Sequence, residues 1–165
     1  DISHEVLLKD WEDHLTTLFP QARLKQYLEI RSMDACNWDL ICSQPAFWIG
    51  ILYNDEISDK VNEITEGWTN EDRYYLNQRV PEEGLQTTFK QKKLIYFAQE
   101  FYELSKKGLN NRNRLSKNAE FDESIHLKEL ESNLEKGFSP SDSLIDKFNN
   151  SWNQSTKPIY QDLIF

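Results

Sequence analysis

Cysteine is scarce in this chain: Cys36 and Cys42 are the only two. Two thiols are too few for a disulfide scaffold, and they do not make the CxxC pair of a zinc ribbon or a thioredoxin-like motif. They read as reduced thiols in a reducing compartment, the cytoplasm, with Cys42 buried. Positive charge is short as well. Lys+Arg 19 against Asp+Glu 28 gives a net charge of -9, which opposes the electrostatic attraction behind most nucleic-acid binding. DNA and RNA are therefore not expected partners. No apolar run approaches the roughly 20 residues that span a bilayer, and the amino terminus has no basic and apolar secretory pattern, so no membrane partner is expected either.

What is present is aromatic. Trp, Tyr and Phe make up 13% of a sequence whose mean hydropathy is only -0.74, enough large groups to build a core and to argue against disorder. At 165 residues the chain reads as one domain, 1–165, with no second boundary stronger than a loop near Asn110. It begins at Asp1 rather than methionine, and so reads as a piece of something longer.

Helical periodicity dominates. From Ser3 to Leu18, Leu7, Trp11, Leu15 and Leu18 recur on one stripe, closed by Pro20. "WDLICSQPAFWIGILY" predicts a buried helix broken near Pro45, with Phe47, Trp48, Ile51 and Leu52 in the core. "DEISDKVNEITEGW" carries Ile57, Val61 and Ile64 on one face, with Gly67 placed for a left-handed cap. "TNEDRYYL" resembles a capping box, and Pro81 and Gly84 interrupt the helical pattern beyond it. A helix is predicted from Thr88 to Lys107, stopped by Gly108. "KKGLNNRNRLSKNAE" reads as an exposed loop, and another helix covers Asp122 to Glu135 up to Gly137. Ser139 and Pro140 then open a last helix whose apolar face reaches Trp152, and the tail "KPIYQDLIF" docks.

One stretch departs from this pattern. In "RLKQYLEIRSMD", Arg23, Lys25, Tyr27, Glu29 and Arg31 take alternate positions, with Leu24, Leu28 and Ile30 between them. A single strand over 23–31 would line them on one face, with Leu28 and Ile30 on the other. Cations beside a carboxylate suit bound phosphate and metal. The competing reading is a Glu29–Arg31 ion pair on an exposed sheet face, worth less than about 1 kcal/mol. His14, in "WEDHLTT", reads as a capping or packing group.

These residues also carry a resemblance. "DWEDHLTTLFPQARLKQYLEIRSMDACNW" followed by "PAFWIGILY" resembles the carboxy-terminal part of the glutamate-cysteine ligases of the plant and proteobacterial type. The likeness extends to "SWNQSTKPIYQDLIF". Relatives often have glycines where this chain has "DACNW". The resemblance implies an α+β, predominantly helical chain: the carboxy-terminal portion of a glutamine-synthetase-like ligase fold, with strand 23–31 in an antiparallel sheet and a helical region over 38–153. It implies a ligase using ATP and Mg²⁺ to join the γ-carboxyl of L-glutamate to the amine of L-cysteine through an acyl phosphate, the first step of glutathione synthesis. The remaining amino-terminal part of the same enzyme would then be a partner, and the fragment alone would be inactive.

Phosphoryl transfer needs carboxylates to hold Mg²⁺ and cations to clamp phosphate oxygens. Glu29 is the metal-ligand candidate and Arg31 the catalytic, phosphate-clamping one, its forked donors matching an oxygen pair. Arg23 and Lys25 are further ATP-binding candidates. The alternative of another class is an acidic helical interaction module with no chemistry of its own.

Overall fold

A computed structural model describes residues 7–115, 120 and 122–163. It is mostly helical with two small antiparallel sheets, an α+β chain, and divides into two compact units, Asp1–Ala35 and Cys36–Phe165.

The first unit opens with α1 (Leu8–Thr16), whose Asp10 carboxylate accepts from the Leu7 amide at 2.8 Å. The predicted stripe Leu7, Trp11, Leu15 and Leu18 is present, but no residue of α1 is buried. The beginning of the predicted helix, at Ser3, lies outside the described residues. The single strand expected over 23–31 is instead a hairpin: β1 (Ala22–Leu24) pairs antiparallel with β2 (Leu28–Ile30), placing Arg23 opposite Glu29 and Leu24 opposite Leu28. The chain reverses at Lys25–Tyr27, where the Lys25 amide donates to the Tyr27 carbonyl at 2.9 Å. That turn contains no Gly, Pro, Asn or Asp, the residues that normally announce a reversal, so periodicity alone runs the strand straight through it.

The second unit is built on α2 (Trp38–Leu52), capped by Asn37, whose side-chain oxygen accepts from the Leu40 amide at 3.0 Å. The break expected near Pro45 does not occur. The ring sits on the exposed side of the helix, while Ser43, Ala46, Gly50 and Ile51 are buried and hold the turns around it. Helix α3 (Asp55–Thr65) starts at Asn54 and buries Ile57 completely. Gly67 does not take the positive φ expected of a left-handed cap; among the glycines only Gly84 and Gly137 do. Helix α4 (Asn70–Glu83) begins with the predicted Thr69–Asp72 capping box and runs through Pro81.

Thr88–Lys93 is not helical as expected. It forms a second hairpin, β3 (Thr88–Phe89) and β4 (Lys92–Lys93), whose tip residues Lys90 and Gln91 have φ of 43° and 66°. Phe89 is drawn into an aromatic cluster with Trp68 and Phe97, ring centroids 4.9 and 5.7 Å away. Helix α5 (Leu94–Arg112) continues past Gly108 to an αL cap at Asn113. Gly108 serves a close crossing rather than a stop: a Cβ there would overlap the Gly50 carbonyl, and one at Gly50 would overlap the Ser105 carbonyl. Ser105 Oγ donates to the Phe47 carbonyl at 2.8 Å across the same crossing.

The helix predicted from Asp122 opens as a 3₁₀ turn, Glu123–Leu127, and continues as α6 (Lys128–Lys136) to a left-handed Gly137. Helix α7 (Pro140–Asn149) has the predicted Ser139 cap, and α8 (Ile159–Asp162) is held by the buried Trp152, whose Nε1 donates to Asp162 at 2.9 Å. Ile164 and Phe165 of the tail, and 116–119 of the basic loop, lie outside the described residues. The core gathers Ala46, Tyr102, Leu109, Leu127 and Leu134. Among the described residues no helix is long and apolar enough to cross a membrane.

Candidate functional site

The hairpin brings the charged candidates together differently from a straight strand. Arg23 and Glu29 face each other across the pair, and Arg23 Nε donates to Glu29 Oε2 at 2.7 Å. Arg31, two residues beyond Glu29, is on the same face, and its amide donates to the Gln21 carbonyl at 2.8 Å. Lys25 lies at the exposed turn, and its charge reaches Glu29 from there. Tyr27, in the same turn, is 60% exposed.

Electrostatics keep the carboxylate ionised. The hydrogen bond from Arg23 is the main cause holding the Glu29 pKa below its ordinary value; desolvation opposes it, and the charges of Arg23, Arg31 and Lys25 add to the lowering. The competing reading, an ion pair on an exposed sheet face, gave the carboxylate Arg31 as its partner. The observed one is Arg23, because antiparallel pairing sets residues 23 and 29 directly opposite.

That leaves Arg31 differently placed. Its guanidinium carbon lies 5.1 Å from the centroid of the Phe19 ring, within cation–π range. Its Nη1 is buried and, among the described residues, has no hydrogen-bond acceptor. Such an orphaned donor is costly unless something accepts from it. A phosphate or carboxylate oxygen has the right chemistry. Sequence reading missed Phe19 and Gln21 as supports for Arg31; Gln21 continues the alternation one step back from Arg23, the signal that would have found it.

For a hard cation the site offers one clear oxygen donor, Glu29, half of which is engaged by Arg23. Among the described residues no group of three His, Cys, Asp or Glu could hold a metal by itself. Glu29 thus fits Mg²⁺ as one ligand of several and not as a complete cage. His14 is exposed on α1, its ring centroid 5.9 Å from that of Trp11 and tilted 33° to it, a surface contact and not the enclosed packing expected. In the helical unit a cavity of about 660 Å³ is lined by Asp39, Cys42, Arg114, Glu123 and His126 among others; it contains none of the candidate residues. Cys36 and Cys42 are thiols outside any disulfide and both are half-buried, so Cys42 is less enclosed than expected.

A family model described as glutamate-cysteine ligase family 2 matches residues 2–162. Over 158 residues the chain is 38% identical to glutamate–cysteine ligase A, chloroplastic, of Oryza sativa subsp. indica, and 39% identical to the chloroplastic glutamate–cysteine ligase of Solanum lycopersicum. The Arabidopsis thaliana enzyme of that name is 36% identical over 156 residues. The first two matches cover 96% of this chain and 31% and 29% of the relatives; the third covers 94% and 28%. The chain therefore spans less than a third of the length of the relatives it matches. Their names also overturn the cytoplasmic expectation, since these ligases are chloroplastic. Two reduced thiols speak for a reducing environment and say nothing about which compartment provides it.

Proposed function

Because the chain belongs to glutamate-cysteine ligase family 2, we propose that it is the carboxy-terminal part of an ATP- and Mg²⁺-dependent ligase that joins the γ-carboxyl of L-glutamate to the amine of L-cysteine. The fold it belongs to is then glutamine-synthetase-like, and the full-length protein, like its named relatives, works in a plastid. Glutathione biosynthesis is the setting, and the remaining amino-terminal part supplies the rest of the site.

The observation that carries this reading is the orphaned Nη1 of Arg31 beside an ionised Glu29. A carboxylate and an amine do not condense unaided. The carboxylate is first phosphorylated by ATP, giving an acyl phosphate and ADP; the amine then attacks the acyl carbon, and phosphate leaves with formation of the amide. Phosphoryl transfer is catalysed mainly by positioning and by neutralising charge. Arg31 presents a forked donor pair toward the oxygens that gain charge, its guanidinium backed by Phe19. Glu29 would hold Mg²⁺, which when bound neutralises phosphate charge. Arg23 orients Glu29 and keeps it ionised. Lys25, at the turn, adds positive charge near the phosphates.

In the full-length enzyme, Arg31→Lys keeps the charge but loses the fork, so kcat falls by about 10²- to 10³-fold and added Mg²⁺ does not restore it. Glu29→Gln also loses activity, and excess Mg²⁺ restores part of it. The 165-residue chain alone, given ATP, Mg²⁺, glutamate and cysteine, releases no phosphate in a turnover that needs both amino acids. Near-normal kcat in both variants would reduce the cluster to a charged sheet surface.

A further inference from the structure

Helix α2 is apolar round most of its circumference, with Asp39, Ser43 and Gln44 its polar side chains, and a helix so apolar is normally enclosed. Its own unit encloses only one side of it. Ser43, Ala46, Gly50 and Ile51 are buried, Gly50 against α5, and Phe47 and Ile49 pack on the core beside them. About half a turn round the axis, Trp38, Ile41, Pro45, Trp48 and Leu52 succeed one another at spacings of three and four, the repeat of a helix–helix seam. Trp38 is 69% exposed, Ile41 39% and Leu52 43%, Pro45 is exposed and Trp48 half-buried.

We propose that this second face of α2 is a docking surface for the part of the full-length protein outside this chain, which lays an apolar helix along it. The inference rests on the fragment reading given above. Two observations choose this occupant. The chain matches only 28–31% of the length of the named relatives, so proteins of that length carry ample further polypeptide. A second copy is the poorer fit. A helix of 15 residues is about 22 Å long and roughly 10 Å wide, a face of on the order of 200–300 Å², whereas a stable complex between separate chains buries about 800 Å² per partner. A face this small suffices as one part of a larger interface, which the rest of the same enzyme, sharing the site proposed above, would supply and a second copy would not.

The part of the tomato relative outside the matched region, produced as a separate polypeptide, is the probe. Mixed with the 165-residue chain, it forms a 1:1 complex by sedimentation, and acrylamide quenching of tryptophan emission falls. Ile41→Lys and Leu52→Lys each leave the melting temperature of the isolated chain within a few degrees, because both residues are exposed there, yet each weakens the complex by at least about tenfold. Absence of a complex, a complex indifferent to both substitutions, or a dimer of the chain that Ile41→Lys abolishes would each overturn the proposal. A ligase assay on the mixture keeps the two readings apart. Turnover in a complex indifferent to the substitutions removes the docking face and leaves the enzyme, whereas a complex that needs the face and shows no turnover does the reverse.

Discussion

Among the described residues are two hairpins of similar size and opposite circumstance. In β3–β4 the cross-strand residue Phe89 is 3% exposed, seated against Trp68 and Phe97. Lys90 at its tip donates to the Gly67 carbonyl at 3.1 Å and pairs with Asp72 at 2.9 Å. In β1–β2 the cross-strand pair Leu24 and Leu28 is 82% and 52% exposed, and the side-chain link across the strands is the ion pair of Arg23 with Glu29. One hairpin is fastened by burial and so can tolerate two residues in a left-handed conformation. The other has good backbone geometry and little to lean on. Packing, more than local conformation, decides which is held firmly.

The widest test of that contrast is native-state hydrogen exchange on the chain. Amides of Leu24 to Ile30 exchange with little protection, and those around Phe97 on α5 approach the global stability, a gap of several kcal/mol. Equal strong protection in a monomer would erase the distinction. Next in size, Phe89→Ala removes a buried ring from the aromatic cluster and costs about 3–5 kcal/mol by denaturant melting. The corresponding truncation Leu24→Ala stays within about 0.5 kcal/mol; a large loss there would mean that the first hairpin is buried after all. Gln91→Gly relieves the left-handed tip and stabilises by about 0.5–1 kcal/mol, whereas Lys93→Gly does not.

The smallest effect is the pH response of the Arg23–Glu29 link. A depressed carboxyl pKa makes its contribution above the unfolded value, and that contribution is lost as pH falls through the lower folded value. The Glu29 side-chain resonance therefore titrates with a midpoint below that of an ordinary glutamate, and Arg23→Gln moves the midpoint up. An unmoved midpoint would show that the two side chains do not meet in solution.

The helical half of the fold was legible wherever a local signal decides structure. Thr69 with Asp72 and Ser139 with Pro140 gave helix starts that the structure reproduces, and Gly137 gave a helix end. Gly108 misled because its reason lies 58 residues away at Gly50, and nothing in the surrounding sequence distinguishes a glycine that ends a helix from one that admits a neighbour. Thr88–Lys93 misled because Lys90 and Gln91 are poor turn formers, held in place by Phe89 burial. At the candidate site the residue types were legible and their pairing was not. Alternation put Arg23, Glu29 and Arg31 on one face, but only the reversal at Lys25–Tyr27 sets Arg23 against Glu29; Arg31 keeps one buried nitrogen with no acceptor among the described residues.

The glycine crossing between α2 and α5 has a mechanical side. Most helix pairs touch through side chains, which yield by changing rotamer when one helix shifts. Where Gly50 meets Gly108, main chain bears on main chain and there is no rotamer to yield, and Ser105 Oγ ties the Phe47 carbonyl across the same crossing. A push on one helix is passed to the other undamped, so α2 and α5 behave as a single strut. Whatever settles on the outer side of α2 thereby takes hold of the Trp68 cluster and the second hairpin as well, from the opposite end of a rigid bar.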